Sequence, residues 1–227
     1  MQNRLITVSA GVAALALVLA GAAAAENYQF KIVAKDKATA ANVVLHRADL
    51  GGLTGWTGGT VKPDRSPETE ADRCNGYLPK QSDLVVTGDA ETKYSFQGTT
   101  IDTQVQVLRT PAMVATDWRR SVMRPNYVAC ERQGVAKLLS KDERLVSLTK
   151  LPYSTFGTKS IAERALVNVT SNGRTIRIAI DFIGFYRGRT EVSVVISGAV
   201  PTSSDLLVLR ALDLKVADLV NAKTPAS

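Results

Sequence analysis

Residues 163–198 read ERALVNVTSNGRTIRIAIDFIGFYRGRTEVSVVISG, three runs rich in β-branched and aromatic residues parted by Asn172-Gly173 and Arg187-Gly188. Asn-Gly between alternating apolar runs is the strongest short-range signal for a two-residue hairpin, because both residues tolerate the positive φ that a type I′ turn requires. Arg187-Gly188 supplies a second turn. Ile176, Ile178, Ile180 and Phe182 share one face, opposite Arg177, Ala179 and Asp181, so the stretch predicts a three-stranded antiparallel meander.

Working upstream, RLVSLTKL (144–151) reads as a further strand. So do DLVVTGDA (83–90) and TTIDTQVQVLRT (99–110). In the last of these Ile101, Thr103, Val105 and Val107 alternate with Asp102, Gln104, Gln106 and Leu108, the pattern of a strand with one dry and one wet face. Thr110 and Pro111 then make a strong helix start, as N-cap and first helical residue, and Val114, Trp118 and Val122 continue one apolar stripe. Pro125 ends or kinks that helix, after which VACERQGVAKLL resumes helical turns that carry Cys130 inward.

Two more helices flank this region. DKATAANVVLHRADL places Ala38, Ala41, Val44 and Leu45 at helical spacing behind Asp36 as cap, predicting a helix near 36–47. From Pro201 to Ala222, Ser203 or Ser204 caps a run in which Leu206, Leu209, Leu212, Val216, Leu219 and Val220 form a broad apolar stripe. Strands separated by only a few helices argue for an α+β fold. We expect an antiparallel sheet of about five to six strands, with two to three helices packed mainly on one face. Residues 26–227 suit one domain, with an ordered core over 36–221. The segment 51–82 holds many Gly and Pro residues and no periodic apolar run, so it reads as one long loop, functional or disordered.

The first 25 residues carry one charge, Arg4, then an apolar stretch ending in Ala23-Ala24-Ala25. This is the layout of a cleaved secretory signal peptide, an uncleaved membrane anchor being the alternative. No later segment is apolar for long enough to cross a membrane, and no cysteine follows the apolar stretch to take a lipid. An exported chain with two cysteines points to one disulfide, Cys74–Cys130. Two unpaired buried thiols are the alternative. Closing a loop of about 57 residues is worth about 4 kcal/mol in the chain-entropy model, and would fasten the 51–82 loop to the body.

The formal charge is +7, which favours loose attraction to anionic polymers or headgroups and carries no information about fold. The basic residues are dispersed and aromatic residues sparse, which argues against a nucleic-acid surface. The single histidine, His46, reads as a helix C-terminal residue and lacks the activated serine of a hydrolase. One histidine and two cysteines committed to each other leave too few ligands for zinc. Gly51-Gly52 and Gly58-Gly59 lack the strand and helix that a phosphate-cradling loop needs, so neither metal nor cofactor is expected. Asp64, Glu68, Glu70 and Asp72 could flank a sugar at glycosidase spacing, though solvated loop charge is the simpler reading. Asp117 and Arg120, three residues apart, read as a surface pair.

Two features remain as binding candidates. Trp56, in LTGWTGG, either plugs an edge of the core or lines a ligand cleft. Tyr186, Arg187 and Arg189, at the tip of the second hairpin, either meet an anionic group or serve solubility.

A helix ends in Leu45-His46-Arg47-Ala48-Asp49-Leu50; Asp72 precedes Cys74 by two residues in a long loop; a strand leads into PAMVATDW (111–118). Cys130, the meander and the terminal helix follow. This order of landmarks resembles the PknH-like extracellular sensor domain family. The likeness covers roughly 36–221. The family typically carries two disulfides where this chain can form one, and no kinase or membrane segment is present here. The resemblance implies an α+β domain with a cleft for an unidentified ligand, and transfers no ligand residue. With the leader it favours a secreted or cell-envelope, non-enzymatic, ligand-binding domain whose ligand is a lipid, glycan or small molecule. The alternatives are a structural or partner-binding envelope protein, using an exposed sheet edge or the C-terminal helix, and an enzyme built on carboxylates.

Overall fold

The computed structural model describes residues 28–51, 55–65, 82–153 and 155–226. Its strands are β1 (Gln29–Phe30), β2 (Thr57–Val61), β3 (Val85–Phe96), β4 (Thr99–Leu108), β5 (Glu143–Lys150), β6 (Lys159–Ser171), β7 (Arg174–Arg187) and β8 (Thr190–Ala199). The α-helices are α1 (Ala34–Val43), α2 (Pro111–Arg120), α3 (Tyr127–Leu138) and α4 (Ser203–Lys223), with a 3-10 turn over Arg47–Leu50. All eight strands form one mixed sheet, ordered β1-β3-β4-β8-β7-β6-β5, with β2 also on β3. The architecture is α+β, with more strands and helices than expected from sequence.

The meander folds as its turns dictate. Ser171 faces Arg174 and Arg187 faces Thr190 across the two hairpins. Asn172 and Gly173 both take positive φ (51° and 71°), as a type I′ turn demands. Thr110 caps α2, its hydroxyl accepting from the Met113 amide at 3.2 Å.

The helices do not gather on one face. α1 and α4 cover the side of the sheet that carries Ile101, Val105, Ile183, Phe185 and Val194, whereas α3 packs on Ile178, Ile180 and Val195 and α2 on Val86, Leu108 and Tyr186. Alternate residues of a strand point to opposite faces, and here both faces are covered. The wet side expected for β4 is accordingly buried: Asp102, Gln104 and Gln106 are all withdrawn from solvent.

Several local expectations change. α1 begins at Ala34 with Val33 at the cap position, and Asp36 sits inside the first turn. His46 lies beyond the end of α1, its amide bonded to the Asp49 carboxylate at 2.7 Å. Thr202, rather than Ser203 or Ser204, caps α4 in a reciprocal box with Asp205. The stretch 51–82 contains β2, which pairs antiparallel with β3. Asp117 and Arg120 do not pair on the surface: Asp117 is buried and Arg120 bonds Asp83 at 2.7 and 2.9 Å. The N-terminal leader, Glu68, Glu70, Asp72 and Cys74 lie outside the described residues. No helix among the described residues is long and apolar enough to cross a membrane.

Two expectations can be measured. β3 shifts register between Val86 and Gly88, and there a Cβ on Gly88 would lie 2.2 Å from the Asp36 carbonyl oxygen. Backbone cannot yield as a side chain can, so Gly88→Ala pushes α1 off the sheet and lowers unfolding free energy by about 1–3 kcal/mol, read by urea titration. Among the described residues no cysteine is free, and Cys130 is buried on the inner side of α3. We propose that its partner is Cys74. Peptide mapping of unreduced protein should recover both in one cross-linked fragment, and two alkylatable thiols would exclude the pairing.

Candidate functional site

The hydrogen-bond register defines a row of side chains across six strands on the face covered by α2 and α3. It runs Lys93, Asp102, Val195, Phe182, Glu163, Lys150. A second row, two residues along, runs Glu91, Gln104, Ser193, Gly184, Ile161, and a third runs Asp89, Gln106, Glu191, Tyr186, Lys159. The middle of this face is a strip of polar side chains lying between two apolar clusters. At Gly184, opposite Ser193, the neighbouring side chains close in: a Cβ would come within 3.3 Å of Ile161 and 3.4 Å of Phe182.

Part of the strip is satisfied. Arg65 forks onto both oxygens of Asp89 at 2.7 Å. The Asp64 amide donates to Glu91 at 3.2 Å. The Tyr28 hydroxyl donates to Asp117 at 2.6 Å, and Asp117 in turn bonds Glu191. Burial and the Asp117 charge hold the Glu191 carboxyl far above the carboxylate range, so it keeps its proton.

The rest is not. Among the described residues, both oxygens of Asp102, the Ser193 hydroxyl and one oxygen each of Glu163 and Glu191 are buried with no hydrogen-bond partner. Asp102 is 1 % exposed, Glu163 3 % and Ser193 7 %. Burial, followed by the Glu91 charge, pushes the Asp102 carboxyl up to about 7, against a lowering by Lys93. Burial pushes Glu163 up to about 7 against Lys150. Asp102 and Glu163 are three strands apart, about 14 Å at ordinary interstrand spacing.

The opposite face holds a second polar cluster that the sequence did not disclose. Arg164 faces Asp181 across the β6–β7 ladder and forks onto both its oxygens. It also reaches Asp213 of α4 at 3.5 Å, which accepts from the Tyr153 hydroxyl at 3.0 Å. Asp181 and Asp213 are completely buried. Burial, and then the hydrogen bond and charge of Asp181, push Asp213 up to about 9, so it is protonated at neutral pH. The cluster locks α4 to the sheet.

The four residues singled out from sequence are used in packing. Trp56 is buried in the α1/α4 core, its ring 5.6 Å from Phe96. Tyr186 lies on the other face against Trp118, at 4.9 Å edge-on. Arg187 donates to the Asn221 side chain at 3.0 Å and the Thr224 carbonyl at 3.2 Å, closing the end of α4. Arg189 pairs with Asp36 at 2.6 Å. Trp56 and the hairpin tip therefore do not converge. The sequence signal for the polar strip was present in the matching alternation of Asp102, Gln104, Gln106 and of Glu191, Ser193, Ser197. It becomes legible only once β4 and β8 are known to be neighbours in mid-sheet.

No family model matches the chain, and no curated protein sequence matches it. Two solved structures from Mycobacterium tuberculosis are similar to it. The extracellular domain of PknH shares 12% identity at TM-score 0.38, covering 85% of this chain and 98% of that one. LpqN, described as involved in cell envelope biogenesis, shares 12% identity at TM-score 0.30, covering 78% of this chain and 86% of that one. Likeness at this level transfers no residue role.

The raised carboxyls set the sign of a pH effect. Asp102, Glu163 and Asp213 all bind protons more tightly folded than unfolded. Their contribution is fully present below their unfolded values near pH 4, and is lost as pH rises through about 7 for Asp102 and Glu163 and about 9 for Asp213. We expect the melting temperature to fall by several degrees between about pH 5 and pH 8.5. Asp213→Asn, which cannot ionise, should flatten the alkaline part of that slope in calorimetry.

Proposed function

We propose that the chain is an exported, cell-envelope, non-enzymatic domain that binds a small polar ligand on the strip centred on Asp102, Gln104 and Ser193. The observation that carries this reading is the set of buried, unpartnered hydrogen-bonding atoms on Asp102, Ser193 and Glu163. Each such atom costs folding about 1–3 kcal/mol, a cost that core packing alone does not require and that a bound ligand's hydrogen-bond donors would remove. Export rests on the leader-like N-terminus and the cysteine pair, which suit an oxidising compartment.

A second reading, docking of an envelope protein, is favoured by α4, where Leu207 and Val208 are 72 % and 70 % exposed. Crosslinking followed by recovery of one stoichiometric partner, lost in Leu207→Glu/Val208→Glu, supports that alternative.

For the ligand-binding reading, we expect a panel of envelope polar extracts to raise the melting temperature of the wild-type protein. Ser193→Ala, which removes an unmet hydroxyl, should be as stable as wild type or more so, and Asp102→Asn, which removes a buried ionisable charge, should be as stable as wild type above pH 7, yet both should lose at least tenfold in ligand affinity by calorimetry. Undiminished binding in both variants would remove the strip as the site.

A further inference from the structure

Beside the strip, the same face opens into a groove of about 290 Å³. It exists because β5 stops at Lys150, whereas its neighbour β6 starts at Lys159. Among the described residues no strand flanks this first stretch of β6 on the β5 side, and the end of α2 with the turn after it forms the other wall. Trp118, Val122, Leu151 and Ile161 supply the apolar part of its lining, and the other half of the lining is polar.

Lysines stand at the rim. Among the described residues the Lys159 ammonium has only the Met123 thioether, at 3.4 Å, and a thioether sulfur is a weak acceptor. Lys150 acts on Glu163 through space alone, and neither lysine forms an ion pair among the described residues. Met123, on the lip, is 49 % exposed. Most of the nearby basic side chains are committed elsewhere, Arg164 to Asp181, Arg189 to Asp36 and Arg187 to the end of α4. These two charges are left facing solvent beside the apolar part of the lining.

We propose that this groove binds a single-chain anionic amphiphile, an acyl chain with a carboxylate or phosphate head. The chain would lie on Trp118, Val122, Leu151 and Ile161, and the head would sit between the Lys150 and Lys159 ammoniums. The volume is at the small end of the range of about 300–1,000 Å³ for small-molecule sites, which fits one chain and excludes a two-chain lipid. The positive rim and the chain's formal charge of +7 select an anion over a cation of equal length. The inference goes beyond the polar-strip reading and rests on the Lys150, Ile161 and Lys159 ends of those rows rather than on Asp102, Gln104 and Ser193, so either can fail alone.

The test uses the tryptophans. Trp118 lines the groove and Trp56 is buried on the opposite face, so Trp56→Phe leaves one reporter. Dodecanoate and dodecyl phosphate, kept below micelle formation, should shift Trp118 emission saturably. Dodecyltrimethylammonium and dodecyl maltoside should not, and neither should acetate or inorganic phosphate, which lack the chain. Lys150→Glu/Lys159→Glu should weaken dodecanoate at least tenfold with the circular dichroism unchanged, whereas Asp102→Asn should bind it as wild type does. If Trp56→Phe does not fold, calorimetry of the lysine variant against wild type gives the same comparison. An equal response to the cationic chain, no saturable binding, or an unaffected lysine variant would overturn the assignment.

Discussion

Helices cover both sides of the eight-stranded sheet, so side chains of its central strands leave water whichever way they point. That constraint decides what happens to the buried polar residues of β3, β4, β6, β7 and β8. A buried carboxylate must find a donor, keep a proton or remain unmet. All three outcomes occur within a few strands: Asp89 takes the Arg65 fork, Glu191 keeps its proton beside Asp117, and Asp102 has no partner among the described residues. The site proposed here is a consequence of double coverage. On a sheet with one open face, Asp102, Gln104 and Ser193 would be ordinary hydrated residues.

The same constraint explains where the positive charge goes. Arg164 lies between two fully buried aspartates, an arrangement in which removing one partner strands the others at a cost of about 3–5 kcal/mol. Arg187 and Arg189 fasten the β7–β8 hairpin to α4 and α1 respectively. Lys223 bonds the Val44 carbonyl at 2.7 Å and Asp49 at 2.6 Å, joining the end of α4 to the 3-10 turn. Part of the positive charge is thus turned inward to hold the helices. Lys150 and Lys159 instead stay exposed at the rim of the groove.

The amino-acid pattern discloses the local parts of this fold and little of its assembly. Asn172-Gly173 and Thr110-Pro111 are legible because their effect is confined to a few neighbouring residues, whose dihedral angles they set. β1 and β2 are not, since Gln29–Phe30 and TGGTV carry no period and acquire strand character only by pairing with β3. The packing of helices on both sides is likewise hidden: alternation in β4 looks the same whether its polar side meets solvent or α2 and α3. Arg164, Asp181 and Asp213 are spread over 50 residues and meet only through the β6–β7 register and the docking of α4. Trp56, Tyr186, Arg187 and Arg189 stood out because they are conspicuous in loops and turns, yet conspicuous residues there are also the ones that anchor such segments to the core.

The polar strip and the groove meet at β6, and their charges are linked there. Glu163 faces Lys150 across the β5–β6 ladder, and burial has pushed its carboxyl up to about 7. While Glu163 holds its proton, Lys150 presents an undiminished charge to the groove. Once it ionises, the buried carboxylate offsets part of that charge at short range, in a setting where solvent screens it poorly. Attraction of an anionic head to the rim is therefore greatest under mildly acidic conditions, in which Asp102 is also neutral and the strip offers hydrogen bonds without net charge. A single protonation range thus favours the folded protein, a neutral polar strip and a positive groove rim together, because all three follow from burying carboxyls in the middle of a sheet that helices cover on both sides.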